Sequence, residues 1–271
     1  MKRGIVFFGL ASILMIMIRV LLWATGLAIL LSETSFVLFI ILSHFLALFT
    51  PIILYKLITE NNFYNIFPIK PISFKNIIFI CIMLVCTYPV VIFLQLILFL
   101  FYESTFDYYY LLWGELKGYP FILIILAVAV SPAIFEELVF RGILQYEFRD
   151  IPIKKAALFN GLLFGIIHLN LPQFIAAFIL GTVLAYLMHY TGNLLVPILG
   201  HFFWNSMATI HQIYYDSIYP REHYFGPNNP IADMIIWGGI ALVSGYIAFV
   251  LMKKFIAHNK SNIDAEVVNS A

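Results

Sequence analysis

Two adjacent carboxylates and a guanidinium, Glu136, Glu137 and Arg141, lie in the run FEELVFRG from Phe135 to Gly142, directly behind an apolar stretch over 121–130. An ionisable group in membrane-spanning sequence costs several kcal/mol and is kept where it faces a protein interior or a water-filled cavity. Glu137 and Arg141 are four residues apart with the acid nearer the amino end, the favourable order for an ion pair on one helical face. Glu136 sits about 100° around the helix from Glu137, so it is the carboxylate left for chemistry, and a carboxylate can serve as a general base. Two more polar sets follow in apolar segments, Phe164 with His168 and His201 with Asn205. Each pair shares a helical face. An imidazole can carry a proton, and an amide or imidazole N–H can donate to a developing oxyanion in a low-dielectric site.

The elements that must position these groups are helices in lipid. The 271 residues are 63% hydrophobic and 11% charged, with a mean hydropathy of +0.97, which excludes a water-soluble domain. The chain reads as an all-α integral membrane protein of about eight transmembrane helices with a buried polar active site. The apolar runs cover 5–31, 36–55, 77–101, 121–146, 156–170, 172–190, 194–212 and 232–255. The fifth is short, and Asn170-Leu171-Pro172 separates it from the sixth. Counted at about 1.5 Å per residue from the ends at 146, 156 and 194, Glu136 lies roughly 15 Å deep, His168 roughly 18 Å, His201 roughly 10 Å and Asn205 roughly 17 Å. Three spans of alternating direction bring polar groups to similar levels, as one shared site requires.

Positive residues mark the cytoplasmic side of short loops. An even number of spans with both termini cytoplasmic puts Lys2, Arg3, Lys56, Lys70, Lys75, Arg149, Lys154, Lys155, Lys253, Lys254 and Lys260 inside, and only Lys117 and Arg221 outside. The first run reads as an uncleaved anchor, because no A-x-A pattern closes it. A net charge of +1 with scattered basic residues gives no reason to expect a nucleic-acid partner. Cys81 and Cys86, five apart in the third span, do not share a face and read as buried, inert thiols. Tyr108, Tyr109, Tyr110, Trp113, Tyr214, Tyr215, Tyr219 and Tyr224 read as interfacial belts. The polar tail from Ala257 reads as disordered.

A single membrane histidine or glutamine is more often a hydrogen bond between helices than a catalyst, and that reading is applied to His44, Gln95 and His189. His211, His223 and His258 read as interfacial, loop and tail residues. Arg19, in mid-span, reads as paired or snorkelling. Pro132 lacks a backbone donor and sits one turn before the glutamates, where it either opens the helix to water or serves packing alone. Gly161, Gly165 and Gly181 permit close helix approach.

Glu-Glu-x-x-x-Arg at 136–141, Phe-x-x-x-His at 164–168 and His-x-x-x-Asn at 201–205, in that order on separate spans, resemble the CPBP family of intramembrane proteases. That family includes type II CAAX prenyl endopeptidases and bacterial relatives described as abortive-infection or bacteriocin self-immunity proteins. The resemblance covers roughly 120–212. It divides the chain into N-terminal transmembrane helices (1–119), a protease core (120–212), an external loop and last helix (213–256) and a cytoplasmic tail (257–271). It implies hydrolysis of a peptide bond in a membrane-associated protein or peptide, in a bacterial plasma membrane. Glu136 and His168 would activate water, His201 and Asn205 would form the oxyanion hole, and Glu137 with Arg141 would support the site. No cofactor is implied. The alternative is a zinc protease with Glu136, His168 and His201 as ligands, although the chain has no HExxH and asparagine is an unusual zinc ligand. From another class come a non-catalytic immunity or scaffold protein and a small-solute transporter, the latter without matched broken helices to support it.

Overall fold

In a computed structural model of the chain, residues 27–102, 107–218 and 230–270 are described. Every regular element among them is helical: α1 Leu27–Ile58, α2 Phe63–Ile66, α3 Phe74–Phe101, α4 Asp107–Leu116, α5 Phe121–Glu147, α6 Ile153–Ile166, α7 Leu171–Thr191, α8 Leu195–Ile218 and α9 Pro230–Ser270. Their ends follow local chemistry. Ser73 caps α3 by accepting from the Asn76 N–H, and Asn170 caps α7 by accepting from the Gln173 N–H. Gly192 ends α7 at a φ of 51°, in the left-handed region where glycine carries no Cβ penalty.

Among the described residues five helices are long and apolar enough to cross a membrane, over Phe36–Ile58, Phe74–Phe101, Phe121–Glu147, Leu171–Thr191 and Ile231–Asn259. The expected eight spans are not all found among them. The first expected span lies almost wholly outside the described residues, as do Arg19, Arg221 and His223. At 14 residues α6 is too short to span on its own. The apolar run of α8 is broken by His201, Asn205, His211 and Gln212. The polar tail also differs from expectation, since α9 runs on to Ser270. Ala257, Lys260, Ala265 and Glu266 are good helix formers that help to continue a helix nucleated upstream.

Helix α5 is not uniform. Two π-helical stretches, Leu126–Val130 and Leu138–Leu144, bracket the α-helical turn Ser131–Glu137 that carries both glutamates. Such widened turns leave carbonyls poorly paired and recur at functional sites. Pro132 has no N–H for the Val128 carbonyl four residues back. Asn205 Nδ2 of α8 donates to that oxygen at 2.9 Å. In the second wide stretch Asn160 Nδ2 of α6 donates to the Phe140 carbonyl at 2.8 Å. The carbonyls left over by Pro132 and by the wide turn are thus taken up by amides of neighbouring helices.

Helices α6 and α7 make the closest pairing. A Cβ on Gly161 would collide with Thr182 Oγ1 and stand 2.7 Å from the Phe178 carbonyl oxygen, so only glycine allows this approach. Gln95 Nε2 donates to the Pro172 carbonyl at 3.0 Å, joining α3 to α7 as read from sequence. One apolar cluster fills the space among α1, α5 and α6 around Leu48, Phe140 and Phe164, and another joins α3, α7, α8 and α9 around Leu84, Leu184 and Trp204. The glutamates lie between the two.

The basic residues gather at one end of the bundle. Tyr55 Oη donates to Glu147 Oε1 at 2.7 Å, so the carboxyl ends of α1 and α5 are level. Asn193 Nδ2 donates to the Lys70 carbonyl at 2.8 Å, and Phe79 stacks on Phe255 at 5.6 Å. These contacts place Lys56, Lys70, Lys75, Arg149, Lys253 and Lys254 around the same end.

Candidate active site

The i,i+4 spacing of Glu137 and Arg141 produces the ion pair it predicts, with Nη1 to Oε1 at 2.7 Å and both side chains fully buried. The pair recruits hydrogen bonds from two further helices, while Glu137 Oε2 and Arg141 Nε stay without a hydrogen-bond partner among the described residues. Arg141 Nη2 donates to the Gly181 carbonyl of α7 at 3.0 Å, and its guanidinium lies 4.6 Å from the centroid of the Phe164 ring. Glu137 Oε1 also meets His201 Nδ1 of α8 at 2.8 Å. Gly181 has to be a glycine, because a Cβ there would lie 2.9 Å from Phe164 and 3.2 Å from Arg141 Nη2.

That contact orients the imidazole. A carboxylate accepts, so His201 Nδ1 carries the hydrogen, and in the neutral ring Nε2 is the acceptor. Asn205 Nδ2 stands 3.1 Å from His201 Nε2 while also donating to the Val128 carbonyl. His201 Nε2 is 3.9 Å from Glu136 Oε2. Glu137 is therefore shared between Arg141 and His201, a second partner that spacing within one helix does not reveal.

Glu136 is 5% exposed, and its carboxylate lies between two imidazoles. Oε2 faces His201 Nε2 at 3.9 Å, and Oε1 faces His44 Nε2 of α1 at 3.7 Å. Both separations exceed a direct hydrogen bond of about 2.7–3.2 Å. Oε2 is buried and has no hydrogen-bond partner among the described residues. Glu136 is thus held close to bases but is not consumed by any of them.

His168 reaches this group through one aromatic ring. Its Nδ1 donates to the Phe164 carbonyl at 2.8 Å, and its ring meets Phe164 edge-on at 5.2 Å. The same Phe164 ring meets His201 edge-on at 5.6 Å. Phe164 thereby packs against His168, His201 and Arg141 together, which explains its place in the Phe-x-x-x-His pair.

Among the described residues no three His, Cys, Asp or Glu side chains converge as a metal-binding group. The Nδ1 bonds of His201 to Glu137 and of His168 to the Phe164 carbonyl fix the two rings and leave each Nε2 as the acceptor of the neutral imidazole.

Reasoning from sequence passed over two residues. His44, read as a hydrogen bond between helices, faces Glu136. Asn160, fully buried, closes the second wide turn of α5. Its only signal was an amide in the otherwise apolar stretch 156–166 of α6, three residues before the Leu-Phe-Gly of the histidine motif.

Residues 118–207 match the family model described as type II CAAX prenyl endopeptidase Rce1-like. No curated protein and no solved structure matches the chain. The matched segment holds all three motifs and the helices α5 to α7 with the first half of α8, which carry buried Glu136, Glu137, Arg141 and His201 and half-buried His168 and Asn205. On this multi-pass helical scaffold the match over 118–207 to the type II CAAX prenyl endopeptidase Rce1-like model supports the resemblance to CPBP intramembrane proteases carried by the three motifs.

Proposed function

We propose that this protein is an intramembrane endopeptidase that hydrolyses a peptide bond in a membrane-associated protein or peptide, with Glu136 as the general base. The observation that carries this reading is the division of labour between the two glutamates. Glu137 Oε1 is held at hydrogen-bond distance by both Arg141 and His201, whereas Glu136, buried beside them, makes only longer approaches of 3.7 Å to His44 and 3.9 Å to His201. A purely structural ion-pair network has no need of that second carboxylate.

In this reading the oxygen of a water attacks the carbonyl carbon while one of its hydrogens passes to Glu136, with His168 helping to hold the water. The carbonyl π electrons become the oxyanion, which Asn205 Nδ2–H stabilises by turning from the Val128 carbonyl; His201 joins it as the imidazolium, giving Nε2–H to the oxyanion while Nδ1–H stays on Glu137. Collapse of the intermediate breaks the C–N bond, and the proton on Glu136 moves to the leaving amine. Glu137 fixes the His201 ring and Arg141 fixes Glu137. The basic end of the bundle is the cytoplasmic end, by the charge bias of short loops.

The test compares the termini of membrane proteins and cellular peptides, by mass spectrometry, between the wild type and a Glu136→Gln strain. Cleavage products that disappear with Glu136 support the hydrolase. Identical termini in the two strains, with a phenotype that survives the substitution, would favour a scaffold or immunity protein that binds without cutting. Because the water is activated directly, cleavage by purified protein should withstand a strong chelator. One zinc per active chain, lost and regained together with activity, would overturn that mechanism.

A further inference from the structure

The proposed reaction asks one hydrogen bond to change hands, and a second donor stands beside it. Asn205 Nδ2 donates to the Val128 carbonyl at 2.9 Å. When that N–H turns to the oxyanion the carbonyl loses its donor, and Pro132, four residues on, has no N–H to replace it. A buried acceptor left unpaired costs more than an ordinary hydrogen bond contributes. That cost falls on the transition state unless another donor takes over.

Ser131 follows Val128 by three residues and shares its helical face. It is 5% exposed, and its Oγ is buried without a hydrogen-bond partner among the described residues. Serine and threonine hydroxyls in a helix reach the carbonyl three or four residues back, and this chain uses that bond elsewhere. Ser43 Oγ donates to the Ile40 carbonyl, three back, at 2.8 Å. Thr87 and Thr209 donate to the Met83 and Asn205 carbonyls, four back, at 2.9 Å and 2.7 Å. Ser131 differs from Ser43 in that an amide from another helix already serves the carbonyl three back. A carbonyl oxygen has two lone pairs, so one donor can arrive as the other leaves.

We propose that Ser131 is a positioning residue for the reaction: its hydroxyl takes over the Val128 carbonyl as Asn205 turns to the oxyanion, and gives it back when the product leaves. This rests on the hydrolase reading above. No covalent bond changes in the exchange. Asn205 keeps its amide hydrogens and Ser131 its hydroxyl hydrogen, and only the acceptors are traded, by rotation between staggered side-chain conformers.

The experiment has two arms on the full chain. Thermal unfolding in one detergent compares the wild type, Ser131→Ala, Asn205→Ala and the double variant. In the wild type Asn205 serves the carbonyl, so Ser131→Ala should leave the melting temperature unchanged or raise it, alanine being the better helix former. In Asn205→Ala the serine takes the carbonyl in the resting protein, so adding Ser131→Ala should lower the melting temperature. Equal shifts in the two backgrounds overturn the proposal, because a hydroxyl that only packs would not sense Asn205. In cells, Ser131→Ala should lower Glu136-dependent cleavage products roughly 5- to 100-fold per folded molecule, the consequence of an unpaired buried acceptor. With purified protein and a peptide spanning one of those cleavage sites, the loss should fall on kcat rather than KM. Cleavage by Ser131→Ala at the wild-type rate overturns the proposal as well. A wild type that yields no Glu136-dependent products removes the hydrolase reading and this role with it, and the melting arm, which needs no substrate, distinguishes that failure from failure of the handover.

Discussion

The membrane-crossing stretches of α5 and α9 have similar length and apolar character, yet 56% of the most apolar part of α5 is buried inside the protein against 6% of α9. Helix α5 and its neighbours hide Ser131, Glu136, Glu137, Arg141, Asn160 and His201. Helix α9 lies along α3 through close packing, with Gly238 against Phe93, Gly245 against Val90 and Phe255 stacked on Phe79. The contrast follows from the solvent. Lipid is as apolar as leucine, so it supplies no hydrophobic drive between spans and leaves van der Waals fit and polar contacts to hold them. The α5 region uses the polar contacts and collects chemistry, while the α3–α9 pair uses fit.

Substitutions in the two regions should therefore differ in size. The largest effect is expected at Glu136→Gln, which keeps shape and hydrogen bonding but removes the base. Cleavage should fall by about 100-fold to 10,000-fold with normal accumulation in the membrane, measured as product per molecule of enzyme. Arg141→Ala comes next, because it strands the buried Glu137 and should cost about 3–5 kcal/mol, seen as a lower melting temperature and yield together with lost activity. A stable, active Arg141→Ala protein would break the distinction between the regions. Asn205→Ala should reduce turnover about 100-fold to 1,000-fold if its N–H serves the oxyanion, a loss that single-turnover kinetics would assign to the chemical step.

Smaller effects sharpen the same comparison. Gly161→Ala drives a methyl into Thr182 and the Phe178 carbonyl, and overpacking of this kind costs about 1–3 kcal/mol. At Gly239 a Cβ meets nothing within 4 Å. Gly239→Ala should therefore be neutral or stabilising by up to about 1 kcal/mol, from helix preference alone. Thermal unfolding of the two proteins in one detergent measures the difference, and equal shifts would show that α9 packs as tightly as the site.

Helix periodicity made part of this legible in advance. The Glu137–Arg141 pair needs only a spacing of four. The level of the motif residues needs only a rise per residue, and the same count applied to α1 would have brought His44 to the depth of Glu136, eleven residues above Tyr55 as Glu136 is above Glu147. His44 was set aside because depth says nothing about which way a side chain turns. Asn160 was missed for a related reason, since nothing in a linear sequence announces that α5 widens into π turns and leaves the Phe140 carbonyl in need of a donor.

What the sequence determined by itself was the solvent, the helices, and the three polar pairs at i,i+4 on their faces, because apolar length and a period of 3.6 residues are local properties of a chain in lipid. Only the tertiary structure decided who meets whom. His201 is 64 residues from Glu137, Asn205 is 77 from Val128 and Tyr55 is 92 from Glu147. Those meetings depend on how far each helix slides and rotates against its neighbours. That is set by where glycines let backbones close, as at Gly161 and Gly181, and by which freed carbonyls a passing amide can satisfy, as at Val128 and Phe140.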